Sequence, residues 1–94
     1  MRALTAQMAS DGGQPWRLYV VLLGETEWPT FQWERTGPVP TIAERRAALA
    51  GLGYEVAPGA QWSWIEDSRI YEDDSTPVVL IAAVDVREQK GDAA

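Results

Sequence analysis

Neither cysteine nor histidine occurs among the 94 residues. Without cysteine there is no disulfide framework, thiol nucleophile or thiolate metal site. Without histidine the commonest general base and the commonest metal ligand are both missing. A serine–histidine relay is therefore excluded for Ser10, Ser63, Ser68 and Ser75 alike. Basic charge is scarce as well: eight Lys and Arg stand against fourteen Asp and Glu, a net charge of −6. That balance argues against a surface that tracks a phosphate backbone. Gly12-Gly13 and Gly51-Leu52-Gly53 make no phosphate loop, because no glycine turn here runs into Lys-Ser/Thr or opens a helix after a strand. No apolar run approaches the roughly 18 residues of a membrane span, and residues 1–8 lack the continuous apolar core of a secretory leader. The expectation is a soluble cytoplasmic protein that is not an enzyme, takes no cofactor or metal, and binds neither nucleic acid nor membrane directly.

What the chain does have is β-branched and aromatic residues in short runs. The most apolar is Pro77 to Arg87. Val78, Leu80, Ala82, Val84 and Val86 fall on one side of an extended chain, and Val79, Ile81 and Ala83 on the other, so both faces of this strand need cover. Trp16 to Leu23 has the same two-sided character. Its Trp16, Leu18, Val20 and Leu22 oppose Arg17, Tyr19, Val21 and Leu23, which predicts that the two runs lie side by side in a sheet centre. Thr30 to Arg35 alternates cleanly, with Phe31 and Trp33 against Gln32 and Glu34, as an outer half-buried strand does. Gln61 to Glu66 pairs Trp62 and Trp64 against Ser63 and Ile65 in the same way. Tyr54 to Ala57 is a candidate short extended piece.

One helix is expected. Thr41 followed by Glu44 is a capping box, and Gly53 after Leu52 is a C-terminal stop. Ile42, Leu49 and Leu52 share a stripe at 100° per residue, and Ala43, Ala47, Ala48 and Ala50 permit close packing on a sheet. Arg45 lies inside the stripe. Its methylenes can pack while the guanidinium reaches water, or it can pair with a strand-end carboxylate such as Asp85.

The resulting expectation is a single α+β domain, β-β-α-β-β: a four-stranded sheet in order 2-1-4-3 with one helix on one face. Residues 16–87 form the domain, between flexible tails at 1–15 and 88–94. A single helix leaves the second sheet face open. Tyr19, Val21, Leu23, Val79, Ile81 and Ala83 are its expected apolar residues, and the expected occupant is another protein, most simply a second copy.

Five Trp is a high count for this length. Trp28, Trp33, Trp62 and Trp64 are either core bulk or an aromatic binding surface. Glu66, Asp67, Glu72, Asp73 and Asp74 make an acidic stretch that lacks the glycine and bidentate Glu of a calcium loop. Its alternative role is docking on a basic partner, as an inhibitor or nucleic-acid mimic. A third possibility is a small-ligand site between the Trp strands and the helix, with Arg45 or Arg69 holding an anion.

Arg46-Ala47-Ala48-Leu49-Ala50-Gly51-Leu52-Gly53-Tyr54, followed by Gly59, Trp62, Ser63 and Trp64, resembles small uncharacterised actinobacterial proteins. The resemblance covers about the middle third of the chain and implies no assigned activity.

Overall fold

The computed structural model describes residues 4–10, 14–68, 72–76 and 78–89. Six strands and one helix follow in the order β1 (Leu4–Ser10), β2 (Arg17–Val21), β3 (Thr30–Gln32), α1 (Ile42–Leu52), β4 (Tyr54–Val56), β5 (Ser63–Ser68) and β6 (Val78–Glu88). All belong to one antiparallel sheet. The α+β class and the single helix agree with expectation, but the sheet has six strands rather than four.

The first difference is β1, which lies in the stretch expected to be a tail. It sits in the sheet centre between β2 and β6, pairing Ala6 with both Val20 and Val84 and Met8 with both Leu18 and Ala82. The two most apolar runs are therefore separated by one strand. Alanine, glutamine and methionine are weak strand formers, so propensity hides β1. Ala6 and Met8 are nonetheless fully buried, in the same core cluster as Leu49 of the helix. Around this insertion, β3, β2, β6 and β5 keep the expected spatial order.

The second difference is the far edge. β4 and β5 both pair with β6, in succession along the same side. Val56 pairs with Val86 and Ser63 with Ala83, so seven steps along one chain meet three along the other. The surplus loops out around the Pro58-Gly59 turn, where Gly59 takes φ 78°, the left-handed region that glycine enters without strain.

The helix forms as the sequence dictates. Thr41 Oγ1 accepts from the Glu44 amide at 3.1 Å, and Glu44 Oε1 accepts from the Thr41 amide at 2.8 Å. Gly53 ends it with φ 93°, its amide bonding back to the Ala50 carbonyl. Leu49 and Ala48 bury against Ala6, Met8, Leu18, Val20, Val84 and Val86, with Trp16 and Trp33 closing the core. Ile42, expected in the buried stripe, is 46% exposed.

Candidate functional site

The sheet presents two faces. On the helix side are Leu18, Val20, Ala6, Met8, Ala82, Val84 and Val86, all buried. Cross-strand register puts Gln7 between Tyr19 and Ala83, Thr5 between Val21 and Asp85, and Ala9 between Arg17 and Ile81 on the other face. No helix or second sheet covers that face among the described residues. Tyr19, Val21, Val79, Ile81 and Ala83 thus share the open face, each half-buried by its neighbours. The Tyr19 hydroxyl donates to Gln7 Oε1 at 3.0 Å, and its ring stacks on Trp28 at 5.9 Å. Leu23 does not join them. It lies past the end of β2 in the turn and is 88% exposed.

Sequence reasoning missed Ile65 as a member of this face. It stands directly across from Ile81, is 62% exposed, and belongs to the outermost strand. Trp64, Leu80 and Val78 are exposed on the opposite face of the same β5–β6 ladder. Alternation along β5 was legible; the missing signal was register, which decides that Ile65 meets Ile81 rather than a polar residue. Beside Ser63 the looped-out segment leaves a hollow of about 210 Å³ lined by Thr5, Ala60, Gln61, Ala83 and Asp85 among others.

The four tryptophans divide between roles. Trp33 is core, edge-on to Phe31 at 5.0 Å. Trp28 lies on the surface and donates from Nε1 to the Leu22 carbonyl. Trp62 and Trp64 flank Arg45. The guanidinium carbon lies 5.0 Å from the Trp62 ring centre and 5.5 Å from that of Trp64, and Trp64 in turn meets Trp16 edge-on. Arg45 Nε donates to the Pro40 carbonyl at 3.0 Å. Arg45 is largely buried, and it does not meet Asp85, which alternates with the buried Val84 and Val86 onto the open face, so the expected pairing with that carboxylate is corrected. Burial depresses the pKa of its guanidinium. Arg69 lies outside the described residues.

The acidic stretch does not form one patch. Glu66 and Asp67 are successive strand residues and point to opposite faces. Glu72 and Asp74 are exposed in the following turn, with Glu72 at φ 67°. Asp73 accepts from the Ser75 hydroxyl and amide, which hold its carboxyl below the ordinary aspartate range. No group of three or more acidic residues is placed to hold a metal ion among those described. No helix among them is long and apolar enough to cross a membrane.

A family model described as a family of unknown function, DUF6303, matches residues 2–94. No curated protein and no solved structure matches the chain.

Proposed function

Since the chain belongs to the DUF6303 family, whose function is unknown, membership carries no activity with it, and we propose from the geometry that the protein is a non-catalytic interaction module. It self-associates through the uncovered sheet face. The observation that carries this reading is the clustering of exposed apolar side chains. On that face Ile65, 62% exposed, stands across from Ile81, with the apolar Val79, Ala83 and Ala9 beside them. A contiguous apolar surface of this kind marks an interaction site more often than scattered single residues do.

The partner is a second copy. A patch running from Ile65 and Ile81 toward Tyr19 is available on every copy and closes with two-fold symmetry. Contact through the face is favoured over pairing along the β5 edge, because Glu66 and Asp67 on that edge strand oppose strand addition. Salt separates this reading from docking of the acidic stretch on a basic partner. Two copies of a −6 chain repel, so added salt preserves or strengthens an apolar dimer, whereas it weakens an acidic–basic complex.

The test is solution mass by light scattering over about a hundredfold dilution, at low and high salt. A dimer that persists in high salt and is lost in Ile65→Lys supports the proposal. A strict monomer at every concentration overturns it.

A further inference from the structure

Arg45 is the one buried charged residue among those described, 7% exposed. Its surroundings stabilise a cation without neutralising it: one carbonyl and two indole faces. The ion pairs of the described residues are Arg35–Glu44 and Arg87–Glu55, neither of which involves it. None of the described acidic residues forms an ion pair with it. Burying an ion without a counter-charge is costly, and such groups are normally paired. The Nη nitrogens have not been sealed off either. Among the described residues no fully buried side-chain nitrogen lacks a partner, and Nε alone is bonded, so the Nη donors keep a narrow opening to solvent beside Trp64, itself 43% exposed.

We infer that Arg45, Trp62 and Trp64 form a binding site for a small organic monocarboxylate. The planar fork of a guanidinium matches a carboxylate, which accepts two parallel hydrogen bonds from it. The narrow opening selects a small group. A single cation within a −6 chain favours one negative charge over the two of a phosphate monoester. The exposed indole of Trp64 offers the apolar tail of the acid a surface.

The probe is sodium benzoate, titrated into the full chain at constant ionic strength against sodium chloride, with the Arg45 Nε–H and Trp indole N–H resonances followed by NMR. Benzoate is expected to give saturable shifts at Arg45, Trp62 and Trp64, with a Kd of about 1 mM for so small a ligand. Chloride gives none. Arg45→Lys keeps the charge but loses the fork, and weakens binding about tenfold. Trp64→Ala removes the half-exposed wall while leaving Arg45 in place, and weakens it about threefold, so the test stands even if a variant at Arg45 does not fold. Absent shifts in the natural chain overturn the inference. So do shifts that chloride reproduces, or shifts that both variants leave unchanged.

Discussion

Leu49 is the fully buried anchor of the helix in a core cluster drawn from β1, β2 and β6. Truncating it leaves a cavity among apolar neighbours. Leu49→Ala is expected to cost about 3 kcal/mol, read as a lowered urea midpoint with unchanged slope. Glu44 sets the pH behaviour of the same helix. The Arg35 guanidinium, donating to Oε1 at 2.8 Å, and the Thr41 amide lower its pKa from 4.5 to about 2. A carboxylate depressed in the folded state contributes stability that is present above its unfolded value and lost as the pH falls through its folded one. The difference in urea midpoint between the natural chain and Glu44→Gln should therefore be largest at neutral pH and close between pH 4.5 and about 2. Both groups are exposed, so the effect is small and shrinks in salt. The capping box was legible because it is local: Thr41 and Glu44 stand three residues apart and need no tertiary information. Arg45 was legible only in part. The 3.6-residue period placed it in the buried stripe, but its neighbours Trp62 and Trp64 come from a segment whose position depends on the register of β5.

Among the elements, β1 and the β4–β5 edge carry the contrast between sequence and fold. Thr30 to Gln32 declares itself through alternation, and Val78 to Glu88 through β-branching. β1 alternates too, with Leu4, Ala6 and Met8 against Thr5, Gln7 and Ala9, but these residues are as common in helices. Its strand character is imposed by β2 and β6, which bond it on both sides. That gives an element-scale prediction. Amide exchange at Ala6 and Met8 should be among the slowest in the molecule, close to the global unfolding rate, whereas a flexible tail would exchange at once. Met8→Asp should abolish cooperative unfolding, because it places an unpaired carboxylate in the core. The helix stop offers a milder probe. Gly53 holds φ 93° with open space where a Cβ would go, so Gly53→Ala meets no clash. Its cost is conformational alone, about 1 kcal/mol by thermal or urea unfolding.

The whole molecule is acidic, with a pI near 4.4. Its solubility should pass through a minimum near that pH, where repulsion between copies vanishes, and recover on either side. Turbidity measured across pH 3.5–6 would show this. No local pattern announces how the long-range pairings are distributed, yet they shape how the molecule is made. Leu4 pairs with Val86, so β1 borders β6 although nearly the whole described chain lies between them. On a translating ribosome β1 can join β2 early, but its other edge stays open until β6 has left the exit tunnel. Until then a nascent chain exposes an unsatisfied strand edge next to small apolar side chains, the kind of surface that a chaperone holds. The sheet therefore closes late, once β6 is available to pair.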